Sequence, residues 1–122
     1  MPNLSLASLL AIEKPVVAMA HLPALPGTPR HDRGTSLDEM VARVRTDLDH
    51  LLAAGVDAIL FCNEDDRPYR LAAGPETVAT MASLVALLRP TDRPFGVDVL
   101  WDPIAAMSIA KATGAAFIRE VV

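Results

Sequence analysis

Two charged residues stand inside stretches that are otherwise apolar. Asp98 lies in Phe-Gly-Val-Asp-Val-Leu (95–100), and Arg119 lies in Ala-Phe-Ile-Arg-Glu-Val (116–121), where Glu120 is the one further charge. A carboxylate takes or gives a proton, and a guanidinium is a fork of donors suited to carboxylate or phosphate. Deleting one member of a buried ion pair costs about 3–5 kcal/mol. The two residues therefore read either as a structural pair or as a working one, with Arg119 holding an anionic or polyol substrate and Asp98 acting as base. His21 closes a third apolar run, Val-Val-Ala-Met-Ala (16–20). It serves there as general acid or base, or it caps the run by bonding to backbone. A fourth run, Asp57 to Cys62, ends in Asn63-Glu64-Asp65-Asp66-Arg67. Asn63 and Glu64 are candidates for holding substrate. Oxygen ligands suit a hard cation, but the spacing matches no EF-hand loop, so this segment reads as a solvated loop and no metal site is assigned.

These residues need strands to carry them and helices to cover those strands. Unbroken apolar runs of this length mark strands buried on both faces of a parallel sheet. Helical stripes separate them. A short leading helix is expected over Leu4 to Ile12, ended by Lys14-Pro15. Ser36 with Glu39 forms a capping box for a helix whose stripe is Leu37, Met40, Val41, Val44, Leu48, Leu51 and Leu52, with Gly55 as its C-terminal stop. Pro75 opens a helix that buries Val78, Met81, Ala82, Val85 and Leu88. Asp102-Pro103 opens another, closed by Gly114, in which Met107 is expected in the core; Asp102 reads as an N-cap alone. Cys62 reads as a small buried hydrophobe. Between the first strand and first long helix, Leu22 to Thr35 is a long, proline-stiffened loop, and such loops are more often functional than idle.

The order β-α-β-α-β-α-β suits right-handed parallel crossovers. A dinucleotide-binding sheet would show Gly-x-Gly-x-x-Gly after its first strand, where this chain has His-Leu-Pro-Ala-Leu-Pro-Gly. The expected fold is therefore α/β, made of parallel (β/α) units of a TIM-like barrel. A whole barrel needs about 250 residues, and 122 residues make about half of one, β1 to β4. The expectation is one domain, the N-terminal half of a (β/α)8 barrel, truncated or completed by another copy. In such barrels the site forms at the C-terminal ends of the strands, which selects His21, Asn63, Glu64, Trp101, Asp102 and the end of the fourth strand.

Composition narrows the partners. Apolar residues make 52% of the chain and aromatics 4%, so the core is aliphatic. Net charge is −4 with no basic block, which argues against nucleic acid. One cysteine makes no internal disulfide, and a reducing cytoplasm fits. Leu4 to Ile12 is too short for a membrane span. No residue pattern names a cofactor.

Several segments carry a family resemblance. Lys14-Pro15-Val16-Val17-Ala18-Met19-Ala20-His21-Leu22-Pro23-Ala24-Leu25-Pro26-Gly27 resembles the opening motif of the BtpA/SgcQ family. Phe61-Cys62-Asn63-Glu64, Gly74 to Met81, Pro94 to Asp102 and Ala112 to Arg119 are similar to later motifs of it. The chain departs from the family at Asp98, where asparagine is usual. The resemblance implies a ribulose-phosphate-binding type of barrel about twice this long. It also implies one of two functions: an enzyme on a small sugar-like, nucleoside or phosphorylated compound, such as a nucleosidase-like hydrolase or lyase, or a non-catalytic factor in biogenesis of a membrane complex such as photosystem I. For the first, the expected site is His21 and Asp98 as catalytic residues with Asn63, Glu64 and Arg119 on the substrate. The fragment alone would be inactive if the missing half carries the phosphate site.

Overall fold

A computed structural model describes residues 5–121. The elements alternate: α1 (Leu6–Leu10), β1 (Val17–His21), α2 (Leu37–Ala53), β2 (Ala58–Cys62), α3 (Pro75–Leu88), β3 (Phe95–Asp98), α4 (Pro103–Thr113) and β4 (Phe117–Ile118). The strands are parallel and lie in sequence order, β1-β2-β3-β4. A doubly wound sheet reverses its order at a switch point, whereas a (β/α) barrel adds each strand beside the last. The chain is therefore α/β, with consecutive units of the barrel type.

Local chemistry sets the helix ends. The Ser36 side chain accepts from Glu39 N at 3.1 Å, and Asp38 and Glu39 lie against the positive end of the α2 dipole. Gly55 follows the α2 cap with φ of 81°, a conformation that side chains resist. Asp102 caps α4 by accepting from Ala105 N at 3.0 Å.

Strand alternation sorts the side chains onto two faces. Ala20, Ile59, Phe61, Phe95, Val97 and Val99 join Met40, Val44, Leu48, Met81, Leu84, Val85, Leu88, Ala105, Ala106 and Ile109 in one core between sheet and helices. Each fully buried Leu, Ile, Phe or Met there contributes about 1.5–3 kcal/mol by leaving water. Phe61 and Phe95 meet edge to face at 6.0 Å. The proline-rich loop belongs to this core as well. Leu22 and Leu25 are fully buried, and Thr77 Oγ1 donates to Pro26 O at 2.6 Å.

Several expectations change. The leading helix is five residues, Leu6–Leu10, and Leu4 lies outside the described residues. β3 ends at Asp98 and β4 spans only Phe117–Ile118. β1 is not buried on both faces: only Ala20 in it is buried. Leu37 is exposed despite its place in the α2 stripe, since it sits in the first turn, ahead of the buried Met40. Met107 is 59% exposed rather than in the core. The buried residues of α4 are Ala105, Ala106, Ile109 and Thr113, a face that Met107 does not share. No helix among the described residues is long and apolar enough to cross a membrane.

Candidate functional site

The second face of the sheet, away from α2, α3 and α4, carries the charged and polar side chains of the strand ends. His21 is in register with Cys62, and Cys62 with Asp98. Val97 pairs with Ile118, which puts Asp98 beside Arg119. His21, Cys62, Asp98 and Arg119 thus form one row across the C-terminal edge of the sheet. The row beneath is Met19, Leu60, Gly96 and Phe117. It is apolar, and a Cβ on Gly96 would collide with the Phe117 ring, so glycine is what leaves room for that ring against β3. Val17, Met19, Leu60, Phe117 and Arg119 line a cavity of about 530 Å³, onto which Ser5 and Leu9 also face.

Asp98 is wholly buried and Arg119 half exposed, at 0% and 55%. The guanidinium places both Nε and Nη2 at 2.8 Å from the same carboxylate oxygen, Oδ2. Oδ1 has no hydrogen-bond partner among the described residues. The remaining nitrogen, Nη1, lies 3.8 Å from the Met19 sulfur. Burial raises the Asp98 carboxyl above its usual range, and Arg119 pulls it back down. Burial also pushes the Cys62 thiol up to about 12, helped by the negative charges of Asp98 and Glu64. Cys62 is therefore a neutral spacer in the row, not a nucleophile.

His21 is exposed at the far end of the row. Two strand spacings of about 4.8 Å separate its backbone from that of Asp98. The buried Cys62 lies between them in the row, so the two side chains do not bond directly to one another. Asn63 is placed differently. Its Oδ1 accepts from Leu100 N at 2.8 Å and its Nδ2 donates to Asp66 Oδ2 at 3.2 Å. Asp66, buried as well, accepts from Leu25 N at 2.8 Å. Burial raises its carboxyl, against the lowering effect of the Leu25 N–H and Asn63 bonds. The segment read as a solvated loop is thus half buried: Asn63 and Asp66 weld the first three strand-to-helix loops together, with Asn63 amide groups engaged in bracing. Glu64 is partly exposed, and its backbone oxygen accepts from Tyr69 Oη at 2.8 Å. Among the described residues no three His, Cys, Asp or Glu side chains converge as a metal would require.

Three residues matter more than their sequence suggested. Asp102 does more than cap α4: its Oδ2 also accepts from Ala73 N at 2.7 Å, tying the second loop to the third. Asp66 was visible only as one acid in a polar run, and its partner Leu25 lies 41 residues away. Glu120 holds a buried oxygen, Oε1, without a partner among the described residues, and burial followed by the nearby Asp98 charge raises its carboxyl. Its position next to Arg119 was the available signal.

The pattern of the BtpA family matches residues 12–122 of the chain. The sgc region protein SgcQ of Escherichia coli is 45% identical over 117 residues, which cover 95% of this chain and 44% of that protein. An uncharacterised protein of Pyrococcus horikoshii is 43% identical over 109 residues, 87% of this chain and 41% of its own length. The photosystem I biogenesis protein BtpA of Synechocystis is 34% identical over 108 residues, 86% of this chain and 37% of that protein. The chain thus spans less than half the length of these relatives. No solved structure is a significant match to it. With the family's pattern running through all four strands and the row of residues at their ends, the chain belongs to the BtpA family.

Proposed function

We propose that this row is one wall of the substrate site of an enzyme that acts on a small, hydroxyl-rich compound of sugar-like, nucleoside or phosphorylated type. The observation that carries the reading is the Asp98–Arg119 pair. A charged pair at the C-terminal end of parallel strands, with one buried oxygen left without a donor among the described residues, is where ligand chemistry is built in barrels of this kind. Arg119 Nη1 is the group offered to a ligand oxygen. His21, on the far side of Cys62, is the proton-transfer group, and Asp98 is the second, its carboxyl raised by burial as acid–base work favours. Glu64 adds negative charge beside them, and Asn63 keeps their loops in place. The activity of a protein longer than this chain, its completion by a further half-barrel or a second copy, and its cytoplasmic location belong to the same proposal.

Screening sugars, nucleosides and their phosphates against the full-length protein, with product detection by NMR, tests the reading. Arg119→Gln is expected to weaken binding at least tenfold, and His21→Gln to slow turnover with binding retained. Equal turnover by wild type and His21→Gln would remove His21 from the mechanism, and absence of any bound compound would remove the enzyme.

A second reading has its own support. The name of the Synechocystis relative is that of a photosystem I biogenesis protein, and Ile104 and Met107 expose apolar surface on α4. A non-catalytic factor that stabilises a membrane complex would use that surface. Ile104→Glu together with Met107→Glu would then abolish association with the complex, and His21→Gln would not.

A further inference from the structure

Trp101 stands at the same end of the sheet, three residues beyond Asp98, and it is 46% exposed. An exposed indole is ordinarily mobile, but this one is mounted rigidly. It sits in a tight turn closed by Asp102 N donating to Val99 O at 2.9 Å. Leu100 N, just before it, is held by Asn63 Oδ1 at 2.8 Å. Asp102, just after it, is fastened to both α4 and Ala73. The indole itself is buttressed by Tyr69, with ring centres 5.4 Å apart and planes at 67°. The Tyr69 hydroxyl is anchored in turn to Glu64 O. Among the described residues Tyr69 meets the indole edge to face and no ring stacks on it, while 46% of its surface is open to solvent.

We propose that Trp101 is the stacking wall for the ring of a neutral cyclic sugar whose hydroxyl edge is received by Arg119. The inference rests on the small-molecule reading above and narrows it. The face of an indole is electronegative and attracts the partly positive C–H groups of a sugar ring. A rigid aromatic wall with a few polar groups is the composition of a small-ligand site, and fixing the wall beforehand removes the ordering cost of binding. The charge at this end favours a neutral ligand over a phosphate. Arg119 is already paired with Asp98 at 2.8 Å, and the Asp98 and Glu64 charges both raise the proton affinity of the Cys62 thiol beside them.

Trp101 is the only tryptophan among these 122 residues, and the difference in emission between wild type and Trp101→Phe isolates its signal in the longer protein. The full-length protein is titrated with glucose, galactose, mannose and xylose, with open-chain sorbitol, with glucose 6-phosphate and with adenosine, by fluorescence and by calorimetry. The expected result is a saturable change in emission with at least one free sugar, none with sorbitol, and at least tenfold weaker binding of glucose 6-phosphate. Trp101→Ala should weaken the sugar at least tenfold in calorimetry, Trp101→Phe should retain part of the affinity, and Tyr69→Phe should fall between. Sugar that binds with emission unchanged, or with equal affinity to Trp101→Ala, overturns the wall and leaves the enzyme reading standing. Saturation by adenosine or glucose 6-phosphate alone overturns the neutral-sugar class. Calorimetric silence with every probe overturns both this inference and the reading beneath it.

Discussion

Arg119 grips Asp98 by a single oxygen. Two guanidinium nitrogens, both at 2.8 Å, share Oδ2 while Oδ1 stays buried without a donor among the described residues. The paired oxygen locks the guanidinium onto β3. Because one carboxylate is fully buried and the arginine is half in solvent, solvent screening weakens the pair below the fully buried case. Arg119→Met is expected to destabilise the fold by about 1–3 kcal/mol, less than deletion from a dry interior. A double-mutant cycle with Asp98→Asn should give an interaction energy of at least about 0.5 kcal/mol. Urea denaturation of the four proteins measures it, and additive effects would show that the two residues do not work as a unit.

The same aspartate gives the fold a pH dependence of definite sign. Burial raises its native carboxyl above 3.8, the ordinary value. The native state then binds the proton more tightly than the unfolded chain, so this contribution is complete below 3.8 and is lost as pH rises through the native value. Wild-type stability minus that of Asp98→Asn should therefore decline as pH climbs from 3.8. Denaturation curves over a pH series check it; a difference that grows with pH contradicts the sign.

Asp66→Ala removes the acceptor of Leu25 N and the partner of Asn63. A buried donor left unsatisfied costs about 1–3 kcal/mol. The variant should lose about that much in urea denaturation, and hydrogen exchange at the Leu25 amide should accelerate with it. Unchanged protection at Leu25 would mean that the weld does not hold the proline-rich loop.

Gly96→Ala drives a methyl group into the Phe117 ring. Overpacking of this kind costs about 1–3 kcal/mol. Phe117→Leu, which removes the ring, should reverse part of the loss in the double variant. A Gly96→Ala protein as stable as wild type by thermal melting would show that Phe117 moves aside freely.

Cys62 should resist alkylation. With its thiol pushed up to about 12, only ~10⁻⁴ of it is thiolate at pH 8, and thiolate is the reacting form. The thiol is also fully buried. Iodoacetamide should modify the native protein no faster than it unfolds, and a rapid stoichiometric reaction would place the thiol in solvent.

Much of this molecule could be read from its residues in order. Unbroken apolar runs mark the strands, and stripes with a period of 3.6 mark the helices. Ser36, Gly55, Asp102 and Gly114 mark where helices start and stop. The meeting of Asp98 with Arg119 was legible too, because each alternates with apolar neighbours on strands that had to be adjacent. Other features needed the folded chain. Register alone sets His21, Cys62, Asp98 and Arg119 in one row, and register is a relation between strands that no local period encodes. The polar run after β2 looked solvated, yet Asp66 is buried by a bond to a residue 41 positions away. Met107 had the hydrophobicity of a core residue, but the face on which it sits depends on which side of α4 the sheet occupies. Periodicity is written in neighbours along the chain; burial and pairing are decided by neighbours in space.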